Sequence, residues 1–127
     1  MEVGKGSENG NRQPRSGNIF MGTVHGHTYI TGGGDKQLHM NLVAFSPNAR
    51  TKWHTHPFEQ GLIIVEGKGI VADRTQEYVV EPGDVVHIPE GEEHWHGGSE
   101  TTGMAHIAIN GNGEANVLEE SHVHTKV

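Results

Sequence analysis

The stretch Trp53-His54-Thr55-His56-Pro57-Phe58-Glu59-Gln60 decides the fold, together with its downstream answer Pro82-Gly83-Asp84-Val85-Val86-His87-Ile88-Pro89-Glu90-Gly91-Glu92-Glu93-His94. His54 and His56 stand at i and i+2, positions that share one face of a β-strand. Both imidazoles can therefore grip one ion from one side. Gln60 offers an amide oxygen four residues after His56. His94 follows a hairpin framed by Pro and Gly and can close on the same ion from a neighbouring strand. Three neutral imidazoles and an amide oxygen suit a first-row divalent metal with open coordination positions. The pattern describes a metal site inside a small β-barrel.

Outward from these motifs the chain reads as short strands broken by turns. Residues 61–66 are an apolar run bounded by glycine, expected as a strand buried on both faces. Residues 69–72 and 77–80 flank Asp73-Arg74-Thr75-Gln76, as in a hairpin. In Glu81-Pro82-Gly83-Asp84, Pro sets φ and Gly supplies a positive φ, so the chain turns there. Further strands are expected at 19–24, 27–31, 37–45, 52–57, 85–88, 94–96, 103–110 and 116–119. Helical periodicity is absent, so the expected class is all-β, a single barrel or sandwich. Residues 1–17 are polar and glycine-rich and read as a flexible arm, free or swapped onto a partner. Residues 18–120 form the barrel and 121–127 a polar tail.

Composition narrows the function classes. Hydrophobic residues make up 32%, and 19 glycines with 5 prolines supply the many turns of a β fold. A formal net charge of -7 argues against duplex nucleic acid as partner. The absence of cysteine excludes disulfides, thiolate metal sites and cysteine nucleophiles. No run approaches the roughly 18 apolar residues of a membrane span. The N-terminal residues lack an apolar signal region, so the expected location is cytoplasmic.

Four His-x-His pairs occur among 11 histidines, so the pair alone says little. His122/His124 lies in the polar tail, and His25/His27 flanks a glycine near the arm. Only His54/His56 precedes a buried strand and has a distant partner set. Glu59 rivals Gln60 as the next ligand. Gln60 shares a face with Leu62 and Ile64, while Glu59 shares one with Gly61, Ile63 and Val65. Both faces are apolar, so parity leaves the choice open. A neutral amide would leave the ion more electrophilic than a carboxylate would. His96 shares parity with His94 and can face the same cavity. In residues 104–110, Ala105, Ile107 and Ile109 form an apolar face expected against a core. That leaves His106 and Asn110 toward a polar barrel interior. Thr51 is positioned to hydrogen-bond a substrate or a bound water.

These residues resemble the cupin superfamily, small double-sheet barrels of the jelly-roll (double-stranded β-helix) type. Its first motif reads Gly, five residues, His-x-His, three or four residues, Glu, six residues, Gly. Here it stands as His54-Thr55-His56, three residues, Gln60, six residues, Gly67. Its second motif stands as Pro82-Gly83, five residues, Pro89-Glu90-Gly91, two residues, His94. Gln60 replaces the usual Glu, Asn48 stands where the opening Gly is usual, and Gly98 where Asn is usual. A closer resemblance is to the bacterial cupin hydroxynitrile lyases. It is carried by Ala49-Arg50-Thr51-Lys52-Trp53-His54-Thr55-His56-Pro57, Gln60, Pro82-Gly83-Asp84-Val85-Val86, His94-Trp95-His96-Gly97 and Met104-Ala105-His106.

The resemblance implies a divalent metal, manganese, held by His54, His56, Gln60 and His94. The same donors also accept Fe, Co, Ni, Cu and Zn. It implies His96 and His106 as catalytic residues, and a substrate pocket touched by Asn41 and Val43, with Thr51 and Asn110 beside them. The implied activity is a metal-dependent lyase on a small molecule, a hydroxynitrile lyase cleaving or forming cyanohydrins such as mandelonitrile. An imidazole, His96 or His106, would take the hydroxyl proton. Rival expectations are an iron dioxygenase using O₂, an isomerase or decarboxylase of sugars or acids, and a non-catalytic small-ligand binder. Exposed sheet edges lead to the expectation of a homodimer or homotetramer.

Overall fold

The computed structural model describes residues 1–6 and 11–127. Its strands are β1 (Gln13–Arg15), β2 (Phe20–Met21), β3 (Val24–Ile30), β4 (His39–Phe45), β5 (Arg50–Thr51), β6 (His54–Thr55) and β7 (Gln60–Gly67). They continue as β8 (Gly69–Ala72), β9 (Glu77–Val80), β10 (Val85–Ile88), β11 (Trp95–Gly98), β12 (Met104–Asn110) and β13 (Asn116–Val117). A six-stranded sheet runs β1-β3-β4-β12-β7-β10, and a five-stranded sheet runs β2-β5-β11-β8-β9. A two-stranded ribbon joins β13 to β6. No helix among the described residues is long and apolar enough to cross a membrane.

The two large sheets share a core. Val24, Phe45, Ile64 and Met104 of the first pack with Val71 and Val80 of the second. Turn chemistry sets the hairpins. Asp73 Oδ1 accepts from the amides of Thr75 and Gln76 at 2.8 and 2.9 Å, which folds the chain from β8 into β9. Gly83 has φ 96°, as its place after Pro82 requires. Asn48 has φ 65°, the left-handed region in which asparagine substitutes for glycine at least cost. That explains how Asn48 can stand where the family motif opens with Gly.

Four expectations are corrected. The strand 61–66 is not buried on both faces: Leu62 and Ile64 point inward, whereas Ile63 and Val65 are 38% and 37% exposed. The apolar face of 103–110 likewise turns away from the interior, which Met104, His106 and Ala108 take; along it Ala105 is buried, Ile107 half-buried and Ile109 38% exposed. The arm is docked in part. Gln13–Arg15 pair with β3, and Arg12 forms an ion pair with Glu66; residues 7–10 lie outside the described residues. The tail is held too. Ser121 is fully buried, its Oγ donating to the Thr51 carbonyl at 2.6 Å, and Val123 and Val127 pack on the cluster of Ile70, Ala72 and Trp95. Backbone donors and apolar side chains suffice to order a segment that composition alone describes as polar.

One irregularity positions the site. Between β12 and β7, Ala105 pairs with Glu66, but His106 pairs with Ile64. Val65 is left without a partner, a β-bulge that shifts the register by one residue. Beyond it Ala108 opposes Leu62, and Asn110 opposes Gln60.

Candidate metal centre

His54 and His94 face each other across a backbone bridge. The His54 amide donates to the His94 carbonyl at 3.0 Å, and the His94 amide returns the bond at 3.1 Å. Their ring centroids are 4.2 Å apart. His56 joins them, 4.8 Å from His94 and 5.7 Å from His54 between centroids. One ring nitrogen from each of the three lies within 4.8 Å of the others.

Each imidazole is held from behind by a backbone carbonyl. Nδ1 of His54 meets the Lys52 oxygen at 2.9 Å, Nδ1 of His56 the Phe58 oxygen at 3.0 Å, and Nδ1 of His94 the Glu92 oxygen at 2.8 Å. A carbonyl only accepts, so each Nδ1 carries the proton and each Nε2 a lone pair. Three lone pairs therefore converge, and His94 Nε2 is buried with no hydrogen-bond partner among the described residues. This arrangement is unfavourable unless a cation sits among them, so the residues fit a divalent metal. Burial pushes His54 down to about 4, against the Lys52 carbonyl, which favours its protonated form. Burial and the neighbouring His54 push His94 down to about 3. Both rings are neutral at neutral pH, the form a metal takes.

The Gln60 side chain is buried on the same inward face, with Oε1 3.1 Å from His56 Nε2. Glu59 turns outward, where its Oε1 accepts from His87 Nε2 at 2.8 Å. Strand parity left these two open; burial of Leu62 and Ile64 places Gln60 inside. Phe58, which the sequence reading passed over, stacks on His56 with centroids 4.3 Å apart. Its position directly after Pro57 is the signal that could have pointed to it.

A cavity of about 250 Å³ opens on this cluster. His54, His56, Gln60, His96 and His106 line it, and so do Asn41, Val43, Thr51 and Asn110. His94 instead borders a cleft of about 420 Å³ beside β9 and β10. His96 and His106 are linked, Nδ1 to Nε2, at 2.9 Å, and both are buried. Phe45 packs edge-on against His96, with centroids 5.8 Å apart, and covers His106 at 5.6 Å. Burial, then the neighbouring His106, holds His96 well below the usual imidazole range, and burial pushes His106 down to about 4.

Other expected pocket residues have structural bonds as well. Thr51 Oγ1 accepts from the His96 amide at 3.2 Å, so its own proton is what it can offer to the cavity. Asn41 Oδ1 accepts from Thr28 Oγ1 at 2.8 Å and from Arg15 at 3.5 Å. The sequence places Arg15 in an arm, free or swapped onto a partner; β1 brings it to Asn41, which lines the cavity. Val43 packs against the apolar core cluster. Outside the site, Arg74 ties Glu93 to Glu119 and lies 3.8 Å over the Trp53 ring.

The pattern of the cupin domain matches residues 41–110, more than half of the chain. An (R)-mandelonitrile lyase of Granulicella tundricola is 54% identical over 69 residues, 53% of this chain and 52% of that enzyme. The match thus spans about half the length of that relative. A cupin-like protein of Thermotoga maritima has a solved structure that aligns with a TM-score of 0.82, 34% identity and 87% of each chain covered. The polyketide cyclase RemF of Streptomyces resistomycificus shares the fold alone: TM-score 0.80, 17% identity, 95% of this chain and 88% of that one. The two sequence motifs and the inward histidines fall within that match, and the chain belongs to the cupin family.

Proposed function

We propose that this cupin is a metal-dependent lyase that cleaves and forms cyanohydrins, mandelonitrile being the test substrate. The linked pair His96–His106 beside the three-histidine cluster carries this reading. The partial match to a mandelonitrile lyase supports it. A cavity of about 250 Å³ is smaller than the usual drug-sized pocket and suits a compact substrate.

His54, His56, His94 and Gln60 would hold the ion, manganese being the expected one. A bound divalent ion supplies Lewis acidity, lowering the pKa of a hydroxyl beside it. His96 is the base. In the tautomer this role requires, His96 Nδ1–H donates to His106 Nε2 across their 2.9 Å contact, which leaves a lone pair on His96 Nε2 for the substrate hydroxyl proton. His106 orients His96 and stabilises the charge that proton brings. As the proton leaves, the oxygen's electrons form the carbonyl and the C–CN bond breaks with its electron pair on cyanide. His96 then returns the proton to cyanide, giving aldehyde and hydrogen cyanide. Its strongly lowered basicity favours that return. Phe58 lines the cavity beside His56, and Phe45 packs against His96 and His106. Thr51 and Asn41 offer polar contacts to the substrate.

The test is metal analysis of untagged protein together with cyanide release from mandelonitrile. Near one manganese per chain with cyanide release supports the proposal. Stoichiometric metal without release moves the chemistry to oxygenase or isomerase reactions on the same site. For assembly, the outward apolar residues Ile63, Val65 and Ile109 support a homodimer or homotetramer, which light scattering measures.

A further inference from the structure

We infer that Asn110 is a positioning residue: it locks the Gln60 side chain with its amide oxygen, not its amide nitrogen, toward the imidazole cluster. This rests on the proposed metal site and goes beyond it. A side-chain amide can be turned over with little change in shape, so only its partners decide which end faces where.

The partners form a one-way chain. Asn110 Nδ2 donates to the Gly111 carbonyl at 2.8 Å. That carbonyl only accepts, so the nitrogen of Asn110 must face it and the oxygen must face away. Asn110 Oδ1 lies 3.3 Å from Gln60 Nε2 and accepts its proton. Gln60 Oε1 is then left 3.1 Å from His56 Nε2. His56 Nδ1 is engaged by the Phe58 carbonyl, so Nε2 presents a lone pair. Two lone pairs thus confront each other. Without metal, Gln60 would gain a hydrogen bond by turning over and donating Nε2–H to His56. Asn110 opposes this, because the turned amide would set Oε1 against Asn110 Oδ1, oxygen against oxygen.

Register makes the lock possible. Asn110 and Gln60 are direct cross-strand partners, on one face and within side-chain reach. They are partners only because of the bulge at Val65. Without that shift Gly111, which has no side chain to accept from Gln60, would oppose Gln60. The lock holds the site in its metal-accepting form at the expense of a hydrogen bond in the metal-free protein.

The experiment is calorimetric titration of Mn²⁺ and Zn²⁺ into metal-free protein in a double-mutant cycle, with melting temperature checked for each variant. Asn110→Ala is expected to weaken binding about tenfold or more when residue 60 is Gln. A carboxylate has two equivalent oxygens and no wrong way round. In the Gln60→Glu background, Asn110→Ala is therefore expected to change affinity less than about twofold. Asn110→Asp, which can only accept from Gln60, is expected to bind no more weakly than wild type. Equal losses in both backgrounds, or no loss with Gln60, would overturn the inference, as would Asn110→Asp binding as weakly as Asn110→Ala. Failure of wild type to bind either metal would overturn the metal-site reading itself, a distinguishable result.

Discussion

The two ends of the barrel are built from the same strands and behave differently. Along the inward face of β12 the residues run Met104, His106, Ala108, Asn110; along β7 they run Ile64, Leu62, Gln60; along β4, Phe45, Val43, Asn41. Each stripe begins apolar and ends polar. At the first end Val24, Phe45, Ile64, Val71, Val80 and Met104 fill one another's space. At the second, one buried ring nitrogen each of His94, His96 and His106 has no hydrogen-bond partner among the described residues. Inward-facing therefore means two things in one strand. One end stabilises the fold through packing, and the other keeps polar atoms unsatisfied for a ligand to complete.

Predictions can break or sharpen that contrast. The largest effect belongs to His54→Ala at the polar end. It is expected to weaken Mn²⁺ or Zn²⁺ binding by more than about 100-fold, since losing a direct donor should exceed the loss of an outer partner. Calorimetry measures this, and the metal-induced rise in melting temperature should vanish with it. Ile64→Ala at the apolar end should instead cost about 2–5 kcal/mol in urea unfolding. Its metal affinity should stay near wild type; a large loss would show that the two ends are not separable.

Acid should strike the polar end first in the metal-free protein. His54, His94 and His106 are pushed down to about 4, about 3 and about 4. An unfolded imidazole titrates near 6.5, so the unfolded chain takes up protons first as pH falls through that value. Stability is full above 6.5 and declines until the folded pKa is reached. Between pH 8 and pH 5 the expected loss is about 2 kcal/mol per buried imidazole. Urea midpoints at the two pH values decide it, and no change would mean that these rings are hydrated in the fold. The smallest effect on stability is expected from the double variant His96→Leu, His106→Leu. Replacing both members of a buried polar pair should shift stability by no more than about 1 kcal/mol. The same variant should release no cyanide from mandelonitrile, which separates fold from chemistry at the polar end.

Much of this was legible in the chain. His54, His56 and His94 announce themselves because i, i+2 spacing is local geometry, and the downstream histidine follows a turn marked by Pro and Gly. The hairpin at Asp73 and the turn at Gly83 are legible for the same reason. The orientation of 61–66 and 103–110 was harder. Ile63, Val65, Ile107 and Ile109 are as apolar as their inward neighbours, so composition could not tell the outer face from the inner. Arg15 at Asn41 is a contact between distant segments, and nothing in either segment signals it.

By itself the sequence determined that this chain makes β-strands, where it turns, and which residues carry imidazoles in pairs. Those properties come from alternation and from the backbone limits of Pro, Gly and Asn, each acting over a few residues. Tertiary structure alone decided which side of each strand faces inward, that Asn110 meets Gln60, and which end of the Gln60 amide faces the imidazole cluster. These depend on pairing between distant strands. A one-residue slip, such as the bulge at Val65, turns every later side chain to the other face, and no local pattern specifies it.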